Sequence, residues 1–167
     1  MQVREAMSAP VVHIGPDETL AELERVLVST RLGGLPVLEH GRLVGVVSRS
    51  DVLRALGVER AIAEAQADVY RELHDDPFAA REEAAREEAQ QREGIEQQIA
   101  RRMATLRVRD AMTADVVTVD ADAPVREAAA RMAAHRIHRV IVTERERVVG
   151  VLSALDVARL VGEQRLA

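Results

Sequence analysis

Two hydrophobic rhythms alternate along the first third of the chain. Val11-Val12-His13-Ile14 is a short β-branched run and reads as a buried strand. Leu20, Leu23 and Leu27 then fall on one face of a helix, with Asp17 ahead of them as candidate N-cap. Leu35–Glu39 returns to strand character, His40-Gly41 supplies a tight hairpin turn, and Leu43–Val47 is the returning strand. A second helix begins near Ser50. The order is β-α-β-β-α.

The same order recurs about 105 positions later without a gap. Residues 3–57 begin VREAMSAPVV and end VGVVSRSDVLRALG; residues 108–162 begin VRDAMTADVV and end VGVLSALDVARLVG. Roughly 21 of the 55 aligned pairs are identical, which marks an internal duplication. In the second copy Val116–Val119 is the opening strand. Asp122 is the candidate cap, Pro124 lies just inside the helix, and Val125, Ala128, Ala129 and Met132 form its apolar face. Val140–Glu144 and Val148–Leu152 follow as a hairpin turning at Arg145-Glu146, with a helix from about Leu155.

The expected fold is α/β (α+β). Each copy leaves one face of a small sheet uncovered, so the two repeats are expected to pack sheet to sheet about a pseudo-twofold axis. The expected divisions are 1–57 for the first repeat, 58–107 for a charged insertion and 108–167 for the second repeat. Within the insertion, Ile62, Val69 and Leu73 share one helical face and Ile95, Ile99, Met103 and Leu106 another. His74-Asp75-Asp76-Pro77 breaks the pattern between them, so a helical hairpin is expected. Its charged, Ala-rich middle suits a solvated helix or an arm that contacts a partner subunit or an effector protein.

Composition narrows the chemistry. Hydrophobic residues make up 47% and aromatic ones 1%, so the core is aliphatic. The net charge of −5 argues against nonspecific nucleic-acid binding. There is no cysteine, which removes thiolate metal sites, disulfides and cysteine nucleophiles. His135 and His138 are three apart but have no evident third ligand, so no metal site is expected. Phosphate-loop, serine-hydrolase and zinc-protease motifs are missing, and no catalytic residue is assigned. No apolar run is long enough to cross a bilayer, and Met1–Glu5 has no signal-peptide character; a cytoplasmic protein is expected.

The residues that could carry function end each repeat: Gly45-Val46-Val47-Ser48-Arg49-Ser50-Asp51 and Gly150-Val151-Leu152-Ser153-Ala154-Leu155-Asp156. A strand runs into a helix start carrying a hydroxyl and, three residues on, a carboxylate. Ser-x-x-Asp is a capping-box pattern. The same geometry suits a ligand: a helix N-terminus favours anions, serine can donate to phosphate, and aspartate can accept from ribose hydroxyls.

Paired β-α-β-β-α repeats ending in Gly-h-h-Ser-x-x-Asp (h apolar) resemble tandem CBS domains, the Bateman module. Met7-Ser8, Met112-Thr113 and Leu32-Gly33-Gly34-Leu35-Pro36-Val37 match as well. The resemblance implies that Ser48 and Asp51, and Ser153 and Asp156, contact the phosphate and ribose of adenosine ligands. It further implies that adenine lies against Val12, Leu32 and Gly34 in one site and Val117 and Ile137 in the other. Ile137-His138-Arg139 resembles the segment that reaches nucleotide phosphates in the γ subunit of AMP-activated protein kinase, and Ile141 stands where the family usually has proline.

The expected function is therefore a non-catalytic sensor. It would bind AMP, ADP or ATP between the repeats and pass the ligand state to a partner, with S-adenosylmethionine as a further candidate. The alternative is an interaction scaffold with degenerate pockets, acting through its helical insertion. Apolar residues on the closing helices (Val52, Leu53, Leu56; Val157, Leu160, Val161) point to a homodimer.

Overall fold

The computed structural model describes residues 1–57 and 94–165. After a 3-10 turn at Val3–Glu5 come helix α1 (Leu20–Thr30), strands β1 (Gly34–Glu39) and β2 (Arg42–Ser48) and helix α2 (Arg49–Leu56). A helix over 94–105, here α3, and the short α4 (Val108–Ala111) lead into the second copy. That copy contains β3 (Thr118–Asp120), α5 (Val125–His135), β4 (Arg139–Glu144), β5 (Arg147–Ser153) and α6 (Ala154–Gly162). The protein is mixed α/β. One sheet is β1-β2 and the other β3-β4-β5, with β3 parallel to β4 and β4 antiparallel to β5. Expectations for Ile62, Val69, Leu73 and the His74–Pro77 break lie outside the described residues.

Both hairpins turn as expected. His40 and Gly41 have φ of 52° and 79°, and Arg145 and Glu146 have φ of 48° and 65°. Two successive positive φ values match the right-handed twist of the flanking strands. The second turn achieves this without glycine, at about 1–2 kcal/mol per residue.

The opening strand of the first copy is shorter than its pattern suggests. Only Ile14 pairs, in a parallel bridge to Val37, and Val12 is 39% exposed. Pro10 and Pro16 flank this run, and neither has an N–H for a ladder. The second copy has Asp115 and Ala121 in their places and forms β3, shifted two residues C-terminal of the expected start.

The helix caps also differ. Thr19, not Asp17, caps α1: its hydroxyl accepts from the Glu22 N–H at 3.2 Å, and Glu22 accepts from the Thr19 N–H at 2.7 Å. These bonds from Thr19 hold the Glu22 carboxyl below its ordinary value. In α5 the cap position falls on Pro124, which has no side-chain bond to give, and Asp122 instead pairs with Arg4 at 2.7 Å.

The chain forms two compact units. The first contains 1–16, 34–47 and 112–167. Its main core joins Val3, Val119, Val125, Ala128, Val142 and Leu152, all at most 1% exposed. Val3 enters because its N–H donates to the Ala123 carbonyl at 2.9 Å, while the Val125 N–H donates to Met1 at 3.2 Å. The second unit contains 17–33 and 48–111. There the Val108 N–H donates to Glu18 at 2.9 Å and the Leu20 N–H to Leu106 at 3.0 Å. The two sets of bonds are equivalent: the opening residues of each copy are bound to the first helix of the other. Along α3, Ile95 is exposed, Ile99 half-buried and Met103 buried. Among the described residues no helix is long and apolar enough to cross a membrane.

Candidate functional site

The junction of β5 and α6 carries Ser153 and Asp156. Ser153 is still extended (φ −105°, ψ 159°), which places its side chain as the N-cap of α6. Its Oγ accepts from the Asp156 N–H at 3.2 Å, and Asp156 Oδ2 takes the Ser153 N–H at 3.0 Å and the Ser153 hydroxyl at 2.5 Å. Arg159 reaches Asp156 Oδ1 at 3.5 Å. The first copy repeats this arrangement. Asp51 Oδ2 takes the Ser48 N–H at 2.8 Å and hydroxyl at 2.6 Å, and Arg54 reaches Oδ1 at 2.9 Å. Both aspartates are therefore complete capping boxes in which one carboxylate oxygen faces an exposed arginine. The aspartate side chains keep 12% and 17% of their surface accessible. The arginines are legible only in retrospect, as Asp-x-x-Arg in both copies.

His138 and Arg139 lie at this junction. Strand register puts Arg139 directly opposite Ser153, and the Ala154 N–H donates to the His138 carbonyl at 2.9 Å. The side chains of His138 and Arg139 are exposed and form no hydrogen bond or ion pair among the described residues. Ile137 and Val117 are half-buried against the main core of this unit. In the first copy Ser48, Asp51 and Leu32 share one compact unit, and the Arg49 N–H donates to Gly33 at 3.2 Å, the counterpart of the Ala154 bond. Val12 and Gly34 belong to the other unit.

Two close approaches sit immediately upstream. A Cβ on Gly150 would overlap the Met7 thioether, and one on Gly45 would lie 2.8 Å from Met112 Sδ. Ser8 and Val151 exchange N–H···O bonds of 2.9 and 3.1 Å, and Thr113 and Val46 bonds of 2.8 and 2.9 Å. Glycine in the Gly-h-h-Ser pattern is thus needed where a methionine crosses the strand. Met7 and Met112 stand out in the sequence pattern, but this contact does not. Among the described residues no three metal-ligating side chains gather.

The family described as CBS domain matches residues 3–58 and 108–163, about two thirds of the chain. The chain belongs to the CBS-domain family. The first CBS copy begins at the Val3 turn and the second at α4. MJ1426, an uncharacterized protein of Methanocaldococcus jannaschii, is 34% identical over 56 residues, 33% of each chain. This chain thus matches about a third of that relative's length. Among solved structures, the CBS domain of a CBS-domain-containing membrane protein from Sphaerobacter thermophilus superposes with a TM-score of 0.69 at 25% identity, covering 96% of this chain and 87% of that one. The CBS pair of MJ0100, in complex with 5′-methylthioadenosine and S-adenosyl-L-methionine, gives 0.63 at 21%, covering 98% of each. MJ1225 of M. jannaschii, described as a proposed archaeal homologue of γ-AMPK, gives 0.68 at 20%, covering 96% of this chain and 47% of that one.

Proposed function

We propose that this CBS pair is a non-catalytic regulatory module that binds an adenine nucleotide and passes the bound state to a partner. The observation that carries the reading is at the β5–α6 junction. Arg139, exposed and without a side-chain hydrogen bond or ion pair among the described residues, stands across the strand pair from Ser153, at a helix start whose aspartate keeps 17% of its side chain accessible. A helix N-terminus with an adjacent arginine suits phosphate. An aspartate Oδ1 whose contact among the described residues is an exposed arginine at 3.5 Å suits the vicinal hydroxyls of ribose. The adenosine compounds in the MJ0100 complex and the γ-AMPK likeness of MJ1225 support the same ligand class. Val117 and Ile137 would supply the adenine wall in this copy. In the other copy Ser48 and Asp51 would take the matching roles, with Leu32 in the same compact unit; the resemblance gives Val12 and Gly34 the remaining adenine contacts. That site has Gly34 where the second has Arg139, so it depends less on phosphate and is the better candidate for S-adenosylmethionine.

Calorimetric titration of ATP and AMP into the full chain tests this. A charge-assisted hydrogen bond contributes about 1.5–3 kcal/mol, so Asp156→Asn weakens binding about ten-fold or more. Arg139→Ala lowers affinity for ATP more than for adenosine. Unchanged affinity in both variants rejects the site. One observation favours a second reading, a scaffold with degenerate pockets: both aspartates are already engaged as caps and by arginine. An absence of nucleotide binding by the native chain selects it, with residues 58–107 as the partner-binding arm.

A further inference from the structure

Each CBS copy opens with a methionine, and each of these methionines lies across a glycine in the middle of a strand. Met7 covers Gly150 of β5 so closely that no Cβ would fit there, and a Cβ on Gly45 of β2 would lie 2.8 Å from Met112 Sδ. All four residues belong to the first compact unit, and Met7 also packs against its main core. Both methionines are half-buried, whereas Met103 and Met132 are 9% and 5% exposed. The backbone donors around the two sulfurs are already taken. The Met7 N–H donates to the Val3 carbonyl at 2.9 Å, Ser8 and Val151 exchange their bonds, and Thr113 and Val46 do the same.

We propose that Met7 and Met112 are modification sites, at which hydrogen peroxide converts the thioether to a sulfoxide and so loosens the hold of each opening segment on its strand. The sulfur lone pair attacks one peroxide oxygen. The S–O bond forms as the O–O bond breaks, and the proton on the transferred oxygen passes to the departing hydroxide, which leaves as water. The sulfur gives up two electrons and the peroxide takes them. The chain has no cysteine and no tryptophan, so methionine meets little competition for the oxidant. The product is a polar, chiral side chain in place of a flexible apolar one. Its new oxygen needs a donor, and the side facing the glycine offers neither room nor a free N–H among those just named. The oxygen must turn to water, which lifts the side chain off the strand. The tighter contact at Gly150 and the packing of Met7 against the core make Met7 the more damaging of the two sites. None of this depends on nucleotide binding.

The test treats the full chain with hydrogen peroxide and locates the added oxygen by peptide mass spectrometry. Met1, 39% exposed, is the unprotected reference. In the folded chain Met7 and Met112 should oxidise at least about ten-fold faster than Met103 and Met132. Oxidation of both should lower Tm by about 2–12 °C, the range for a polar group left without a partner in a chain of this size. Methionine sulfoxide reductases should restore the native Tm. A chain carrying Met7→Leu and Met112→Leu should keep its own Tm under the same treatment, and Met7→Leu alone should remove more of the loss than Met112→Leu alone. Met7→Gln, which puts a polar amide in place of the thioether, should lower Tm without peroxide. The proposal is overturned if Met7 and Met112 oxidise no faster than Met103 and Met132, or if their oxidation leaves Tm unchanged. It is also overturned if the double leucine variant loses as much Tm as the native chain. Should that variant not fold, the reductase treatment of the native chain decides: a Tm loss that persists once both sulfoxides are reduced overturns the proposal.

Discussion

Replacing Gly150 with alanine is the sharpest probe of the packing beneath the Ser153–Asp156 junction. The backbone of Gly150 has no positive φ, so alanine in open space would be mildly stabilising there, by about 0.4–1 kcal/mol through the unfolded chain. The local contacts reverse that sign. The new Cβ would overlap Met7 Sδ and lie 2.7 Å from its Cγ and 3.1 Å from its Cβ. Rotating the thioether away relieves the first contact but not the last, because Met7 Cβ moves only with its backbone. That backbone is fixed by the paired Ser8–Val151 hydrogen bonds. Overpacking of this kind costs about 1–3 kcal/mol. For a chain of this size each kcal/mol corresponds to about 2–4 °C in melting temperature. Gly150→Ala is therefore expected to lower Tm by about 2–12 °C, measured by thermal circular dichroism. The decisive measurement is the double variant with Met7→Ala. With the thioether gone, the alanine at 150 should cost less than half as much, giving a coupling of about 1 kcal/mol between the sites. An equal cost in both backgrounds would refute the contact, and a stabilising Gly150→Ala would refute the whole argument.

Other outcomes follow from the caps and surfaces. The folded-state value of Glu22 is depressed, so its ionised form stabilises the native state above the ordinary carboxyl value of 4.5, and that contribution is lost as pH falls through the lower folded value. The Tm difference between the native chain and Glu22→Gln should therefore be constant near neutral pH and shrink below about pH 4.5; a difference independent of pH would remove the Thr19–Glu22 box as its cause. Leu53, Leu155 and Val161 are 46%, 78% and 61% exposed on the closing helices, and we expect a homodimer that covers them. Light scattering over a hundred-fold dilution checks this, and a monomer mass throughout counts against it.

Much of the CBS fold is legible in local pattern. Leu20, Leu23 and Leu27 are all buried, as their helical spacing requires, and both hairpins turn at the expected dipeptides. The Ser48/Asp51 and Ser153/Asp156 boxes are also local, since each closes within four residues. The Thr19-x-x-Glu22 box was equally readable, but Asp17 competes with it in the same stretch. What decides between them is non-local: the Asp17 carboxylate pairs with Arg109 at 2.6 Å. The close approach of Met7 to Gly150, which leaves no room for a Cβ, is hidden for the same reason. Periodicity reports which face of an element is apolar, not which distant residue crosses it. Arg139 lies between these cases: its charge is readable, but its position across from Ser153 depends on strand register.

The exchanged opening segments bear on the order of folding events. Arg4 meets Asp122 across 118 residues, and Arg107 meets Asp17 across 90. Closing loops of these lengths carries a length-dependent entropy of about 4 kcal/mol each, met before the contacts that reward it exist. The hairpins β1-β2 and β4-β5 close over a few residues and can form early. Val3 and Val108 dock only once the helix starts they bind have formed. Local nuclei are thus locked late by distant clasps, which lengthens the folding time and makes the two CBS copies unfold together.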